Sequence, residues 1–150
     1  MPSDETDNAC ATEREIFSYI AGYVDGEACI SLLGLQTLKL GIVSGDREVL
    51  ELIAGTFGGS VTPEHRKYHG ERHWYYRWRV NNDKAQTVLR QLSPFLVAKR
   101  DLARRACELE FAPRTKASPE VLAARRRFKQ FLLERRKTRL PVGPRISAPV

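Results

Sequence analysis

The strongest constraint on this chain is a nine-residue run, residues 20–28, with the sequence IAGYVDGEA. Apolar residues at helical spacing lead into the run, and a capping pattern at residues 12–15 predicts where the helix begins. We expect this helix to extend to about Asp25 and to end at the glycine that follows. Ala21 and Gly22 are small enough to let a second helix approach closely. The run therefore predicts one element that combines close packing with the chemistry of two acids, Asp25 and Glu27.

The rest of the chain alternates helical patterns with pairs of strand patterns. In the strand pattern over residues 38–43, Leu38, Leu40 and Ile42 share one face, and the period-two alternation of residues 74–81 is the clearest strand pattern in the chain. Pro63 makes the strand over residues 60–68 an edge or irregular strand. The predicted order is α-β-β-α-β-β-α-α, which is an α+β fold with an antiparallel sheet.

Two Ser-Pro pairs give the boundaries of the C-terminal helices. Ser93-Pro94 predicts the start of a helix that extends to about Phe111, and Ser118-Pro119 predicts a last helix to about Lys137. We expect both tryptophans, Trp74 and Trp78, to lie in the core. The predicted organisation is a single domain over residues 12–138, between a disordered acidic tail (1–11) and a disordered Pro-rich tail (139–150).

The net charge of +7 is distributed unevenly. Residues 1–98 contain 10 Lys/Arg against 13 Asp/Glu, whereas residues 99–150 contain 15 against 5. A basic half of this size predicts a polyanionic partner. Nucleic acid is favoured over anionic lipid because no amphipathic anchor rich in Trp or Phe accompanies the charge. A solvated helical surface is the alternative interpretation.

The cysteines and the hydropathy pattern indicate the compartment. Three scattered cysteines without a CxxC pair argue against a disulfide framework or a zinc ribbon and favour a reducing environment. No apolar run approaches the length of a membrane span, and the polar N-terminus does not resemble a signal peptide. We expect a soluble intracellular protein, in a bacterial or phage-infected cytoplasm or in an organelle.

The acids of the nine-residue run are candidate ligands for a hard divalent cation. Mg²⁺ prefers carboxylates and usually takes one or two from the protein, and it keeps water or phosphate oxygens as its other ligands. The end of a helix also leaves carbonyl oxygens without helical partners, and Gly26 could offer one. Two exposed acids at a helix terminus are the competing interpretation, which local composition alone favours.

The same run resembles the LAGLIDADG signature of homing endonucleases, since it has the pattern apolar, Ala, Gly, apolar, apolar, Asp, Gly, acid. Residues 46–59 resemble the family's second helix and its glycine pair, and residues 76–80 resemble its fourth strand. Residues 93–99 resemble its Pro-aromatic-Leu…Lys segment. The resemblance covers roughly residues 13–138 and implies an αββαββαα homing-endonuclease-like fold, with an antiparallel DNA-binding sheet and helices packed on one face.

The resemblance also implies an activity. Members of the family are intron-homing enzymes that hydrolyse both strands of a long pseudo-palindromic double-stranded DNA site. Glu27 and Lys99 would be catalytic, and Glu27 and the Gly26 carbonyl would bind Mg²⁺ or Mn²⁺, while Ca²⁺ could occupy the site without supporting cleavage. One motif per chain implies a homodimer. The residues expected at its interface are Ile20, Ala21, Gly22 and Asp25.

Three departures from the family pattern leave an alternative open. Ala28 replaces the usual glycine, and Glu27 stands where Asp is common. Residues 42–43 are apolar, whereas some relatives carry a Gln or a basic residue there that positions water. The alternative is a non-catalytic protein of the same fold, either an RNA splicing maturase or a DNA-binding regulator.

Polar residues of the predicted strands form the candidate DNA-binding surface. A two-stranded ribbon fits the major groove, and arginine can bind guanine through two hydrogen bonds. Residues 136–139 resemble the basic segment that contacts phosphates in dimeric relatives, with nuclear import or solubility as the alternative role. The candidate DNA-binding residues are Ser31, Thr37, Lys39, Arg66, Tyr68, Arg77, Arg79, Arg136, Lys137, Thr138 and Arg139.

Overall fold

The structure, a computed structural model, describes residues 11–111 and 116–138, apart from the side chains of Tyr68 and Thr138. Both predicted tails lie outside these residues, except for Ala11. In chain order the described residues form α1 (Glu13–Glu27), β1 (Cys29–Leu33), β2 (Thr37–Ser44), α2 (Arg47–Phe57), β3 (Val61–Tyr68), β4 (Glu71–Asn81), α3 (Asn82–Leu92), a 3₁₀ turn (Ser93–Phe95), α4 (Arg100–Cys107) and α5 (Pro119–Thr138).

The four strands form one antiparallel sheet in the order β1-β2-β4-β3. Because side chains alternate along a strand, one face of β2 buries Leu38, Leu40 and Ile42 while the residues between them stay partly exposed. The helices cover the buried face. The α+β class predicted from the sequence is therefore confirmed.

The core lies between this face and the helices, and α1 contributes Ile20, Ala21 and Val24 to it. Trp78 is fully buried, and its indole nitrogen donates to the carbonyl of Gly58 at 2.9 Å. The neighbouring glycine has φ +88°, and a Cβ placed on it would lie 2.9 Å from the same indole nitrogen. The glycine pair thus ends α2 and allows the close approach of Trp78.

The second tryptophan does not lie in the core, so the prediction for Trp74 was wrong. The side chain is 61% exposed and lies against the ring of His65, which is its partner in the β3–β4 register. Alternation alone correctly places Trp74 and Trp78 on the same face of β4. The first half of β4 extends past the helices that cover that face, and periodicity does not reveal where the cover ends.

The ends of α1 agree only in part with the prediction. Thr12 caps the helix as expected, since its hydroxyl accepts from the backbone N–H of Glu15 at 3.2 Å. The predicted stop at Gly26 was wrong, because the helix continues through Glu27. Ala28, with extended backbone angles, ends α1 and leads directly into β1. The start of the strand, not the glycine, thus determines the end of the helix.

The continuous helix predicted from Ser93 to Phe111 was also wrong. The chain makes a 3₁₀ turn, becomes extended at Leu96 and begins α4 only at Arg100. The backbone N–H groups of Val97 and Lys99 donate to the carboxylate of Asp25, 2.7 and 2.9 Å away. These long-range hydrogen bonds replace the helical ones at the break.

Candidate nuclease site and nucleic-acid interface

Glu27 lies where two grooves meet, at the C-terminal end of α1. The sheet groove, of about 390 Å³, runs along the polar face of the sheet and is also lined by Lys39, Arg77 and Arg79. The helix groove, of about 330 Å³, lies between β1 and α5 and is also lined by Lys99. Glu27 is exposed and contributes to the lining of both grooves. It is thus an acid surrounded by basic side chains.

Lys99 is held against the end of α1 by specific hydrogen bonds. It is only 7% exposed, and its Nζ donates to the backbone carbonyl of Asp25 at 2.6 Å. The carboxylate of Asp25 accepts from the backbone of Lys99 and of Val97. The sequence interpretation expected Asp25 at a dimer interface, but its carboxylate fixes the segment that carries Lys99.

Arg135 is a residue of this site that sequence reasoning missed. Its guanidinium donates to the carbonyl of Ala98 at 2.7 Å, and it lines the helix groove beside Lys99 and Glu27. It therefore joins α5 to the segment that precedes α4. In the sequence it is one of several arginines in a basic helix, and no local signal distinguishes it from its neighbours.

The oxygen atoms available as metal ligands at the end of α1 suit a hard cation that also binds other ligands. The carbonyls of Val24 and Asp25 already accept from Ala28 and Lys99, whereas Gly26 and Glu27 end the helix, where no helical N–H follows. Within residues 11–111 and 116–138, no group of three or more His, Cys, Asp or Glu side chains could hold a metal. One carboxylate and one carbonyl suit Mg²⁺, which takes few protein ligands and completes its shell with water and phosphate oxygens.

The strand register brings the candidate DNA-binding residues of the sheet to one face. Ser31 pairs with Lys39, Lys39 pairs with Asn81, and Arg77 pairs with Thr62. Because paired residues of antiparallel strands share a face, the polar side chains of all four strands lie together. The side chain of Tyr68 is outside the described part of the structure. The sequence candidates whose positions share this face are Ser31, Thr37, Lys39, Arg66, Arg77 and Arg79.

An acid that the sequence interpretation missed lies on this face. Oε1 of Glu64 accepts from Nη2 of Arg77 at 2.6 Å and lies 3.6 Å from Nε of Arg66. Two of the predicted DNA-binding arginines therefore share one carboxylate. The period-two pattern of β3 could have indicated this face, but the proline in that strand weakened the pattern.

The apolar residues at the end of β2 lie in two different environments. Ile42 is buried in the core, and Val43 is on the polar face, opposite Arg77 in the register. Both line the sheet groove beside Glu27. The departure from the family pattern therefore lies next to the candidate metal ligand.

Two of the four residues expected at a dimer interface have side chains that do not reach the surface. Ile20 and Ala21 are fully buried in the core of this chain, and their place at an interface stays a prediction. The helical periodicity that makes them apolar serves the chain's own packing. Gly22 is exposed on the outer face of α1, and a Cβ there would meet no atom within 4 Å.

The basic C-terminal segment is only partly described. Arg136 and Lys137 are exposed in the last turn of α5, and Arg136 also lines the helix groove. Thr138 ends the helix, and Arg139 lies outside the described residues. In the described part of the chain, no helix combines the length and the apolar composition needed to cross a bilayer.

No family model matches the chain, and no curated protein matches it. Three of the solved structures to which it is similar are structures of homing endonucleases, the group that the motif resembles. One is the homing endonuclease I-CvuI in complex with its target with 2 mM Ca, at 23% identity and a TM-score of 0.49; the match covers 61% of this chain and 63% of that chain, less than two thirds of its length. The same enzyme with the I-CreI target and 2 mM Mg matches at 17% identity and a TM-score of 0.48, and the match covers 75% of this chain and 93% of that chain. The archaeal intron-encoded homing endonuclease I-Vdi141I complexed with DNA matches at 18% identity and a TM-score of 0.43, and the match covers 79% of this chain and 99% of that chain.

Proposed function

We propose that this chain is a site-specific homing endonuclease that cuts both strands of a long pseudo-palindromic DNA duplex as a homodimer. The observation that carries the proposal is the position of Glu27. It is an exposed acid at the junction of the polar sheet face and the groove that contains Lys99. A protein that only binds DNA has no need of a carboxylate at the point where two basic surfaces meet.

The side chains around Glu27 have the properties that hydrolysis of a phosphodiester requires. Glu27 and the Gly26 carbonyl would hold Mg²⁺ or Mn²⁺. A bound divalent ion neutralises phosphate charge and activates water. Lys99 would stabilise negative charge on the phosphate, and its hydrogen bond to Asp25 fixes the ammonium in position. Arg135, through the carbonyl of Ala98, would keep the Lys99 segment in register with Glu27.

The sheet face would lie in the major groove. Lys39, Arg77 and Arg79 supply donors for base edges and phosphates, while Arg136 and Lys137 would contact phosphates outside the groove. Each chain has one motif and therefore one Glu27, so cutting both strands calls for a second copy. The exposed Gly22 on α1 would let the two motif helices meet closely.

A DNA-binding regulator of the same fold is the second candidate. It is favoured by Val43, whose apolar side chain lies on the polar face and lines the groove beside Glu27, where water would have to be positioned. Both candidates bind duplex DNA, and they differ only in cleavage.

The test uses Glu27→Gln, which keeps the size of the side chain and removes its charge. The purified protein is incubated with a randomised duplex library and Mg²⁺, and the cut ends are sequenced. We expect the variant to cleave at least about 100-fold more slowly, because the metal loses its carboxylate, while binding of duplex in Ca²⁺ stays within a few-fold of wild type. Glu48→Gln, an exposed acid in the first turn of α2, is the matched control and should cleave normally.

Two results would contradict parts of the proposal. Normal cleavage by Glu27→Gln would remove Glu27 from the metal site. Specific binding by the wild-type protein without cleavage in Mg²⁺ or Mn²⁺ would favour the regulator.

A further inference from the structure

Glu64 is an acid on the polar face of the sheet, beside several of its basic side chains. It lies on the polar face of β3, opposite Tyr75 in the register, and two residues along the same face from Arg66. A carboxylate next to Arg66 and Arg77, which line the sheet groove, would repel the phosphates of a duplex bound there. Its presence on a DNA-binding surface therefore requires a role that offsets this repulsion.

The contacts of Glu64 are directed at arginines. Its Oε1 lies 2.6 Å from Nη2 of Arg77 and 3.6 Å from Nε of Arg66. The Glu64 side chain is 24% exposed and that of Arg77 is 38% exposed, so solvent screens this pair less than a fully exposed one. The contact with Arg77 is a short charge-assisted hydrogen bond, which restricts the orientation of the guanidinium.

The second oxygen of Glu64 indicates that the arrangement is not optimised for stability. Oε2 is buried, and no group among the described residues donates a hydrogen bond to it. A buried acceptor without a donor destabilises a fold. A contact that holds one side chain at such a cost is more readily explained by what that side chain does.

We propose that Glu64 is a positioning residue that orients Arg77 for base recognition and thereby sets the sequence specificity of the protein. The proposal rests on the proposed function only in that the sheet face binds duplex DNA. Arginine recognises guanine through two parallel hydrogen bonds, which require a defined orientation of its planar fork. A guanidinium held by Glu64 enters the groove already oriented, so less conformational freedom is lost on binding the correct base.

The negative charge of Glu64 adds a second effect. It offsets part of the attraction between Arg77 and phosphates, which is independent of sequence. Removing the charge should therefore strengthen non-specific binding while it weakens discrimination between bases. Discrimination between bases depends on both the specific and the non-specific affinity, because specificity is a difference of affinities.

The experiment measures base preference and non-specific affinity separately on the full chain. Wild type and variants are bound to a randomised duplex library without cleavage, in Ca²⁺, and the bound fraction is sequenced. Affinity for an unrelated duplex is measured at several salt concentrations. Thermal unfolding followed by circular dichroism verifies that each variant is folded.

Two substitutions at Glu64 separate position from charge. Glu64→Gln should reduce the preference at one position in each half-site by about ten-fold, the loss expected when a bidentate pair is impaired, and should raise non-specific affinity a few-fold. Glu64→Asp keeps the charge but shortens the side chain, so it should reduce the preference without raising non-specific affinity. Glu71→Gln is the matched control, since Glu71 lies on the same face without a bond to Arg77 among the described contacts. It should change non-specific affinity alone.

A double substitution tests whether Glu64 acts through Arg77. Arg77→Ala should abolish the preference at that position, and adding Glu64→Gln should then change it no further. Equal effects of Glu64→Gln and Glu71→Gln would overturn the proposal, as would an effect of Glu64→Gln that persists without Arg77. Failure of the wild-type protein to bind duplex would overturn both this inference and the proposed function. Specific binding without cleavage would leave this inference standing on its measured preferences and would contradict only the nuclease assignment.

Discussion

Asp25 joins two parts of the molecule that are distant in sequence. Its carboxylate accepts the backbone N–H groups of Val97 and Lys99, and its own carbonyl accepts from Nζ of Lys99. One residue of α1 thus fixes both the position of the catalytic candidate Lys99 and the break that precedes α4. Sequence reasoning identified both residues separately, through the motif and through the Pro-aromatic-Leu…Lys segment. It could not predict their contact, since a pair 74 residues apart leaves no local pattern.

We expect Asp25→Asn to impair both stability and activity. An amide offers one acceptor oxygen where the carboxylate offers two, so one backbone N–H of the 96–99 segment loses its partner. The free energy of unfolding should fall by about 1–3 kcal/mol, and cleavage should fall by at least about ten-fold because the segment that carries Lys99 is positioned by one hydrogen bond fewer. Urea denaturation and a cleavage assay measure the two effects. Asp46→Asn, at a helix start where the side chain makes no capping bond, is the control and should change neither.

At the scale of elements, hydrophobic periodicity correctly predicted the helices and strands that bury one continuous face. The strands β2 and β4 and the helices α1 and α2 have one buried face along most of their length, and all four were predicted. Periodicity failed where a tertiary contact decides the outcome. The predicted helix over residues 93–111 is broken by hydrogen bonds to Asp25, and Trp74 is exposed because none of the described helices covers that end of β4. The candidate site divides in the same way: the motif led to Glu27, whereas Glu64 and Arg135 emerged only from the packing.

The two tryptophans of β4 provide a test of where the core ends. Trp78→Ala removes a fully buried side chain and leaves a cavity, so the free energy of unfolding should fall by about 3–5 kcal/mol. Trp74→Ala removes an exposed ring that contacts His65, and the loss should be about 1 kcal/mol or less. Urea denaturation followed by circular dichroism compares the two variants without relying on tryptophan fluorescence. If both variants lost similar free energy of unfolding, Trp74 would stabilise the fold as a buried residue does, which would contradict its exposed position.

At the scale of the whole molecule, one chain would supply only part of what the proposed double-strand cleavage needs. It has one polar sheet face, one Glu27 and one Lys99, and among the described residues the candidate ligands for a metal at the end of α1 are a carboxylate and a carbonyl. The sheet groove and the helix groove meet at the C-terminal end of α1, and the exposed face of that helix includes Gly22. A twofold axis along α1 would bring two such ends together and would double the DNA-binding face. Of the four residues that the sequence suggested for the interface, Gly22 is therefore the one to test.

We expect Gly22→Gln to separate folding from assembly. The added side chain meets open space within the chain, and replacing a helical glycine by a good helix former should stabilise the folded chain by about 0.5–1 kcal/mol. Two motif helices in close contact could not accommodate the side chain without steric overlap. The dimer dissociation constant, measured by sedimentation velocity, should therefore rise at least about 100-fold. Gly55→Gln, at an exposed glycine of α2 that also faces open space, is the matched control and should gain stability without losing the dimer.

Equal dimerisation by the two variants would show that the copies do not meet through α1. A wild-type protein that stays monomeric on its duplex would contradict the twofold arrangement, and it would leave the single Glu27 of each chain to cut one strand at a time.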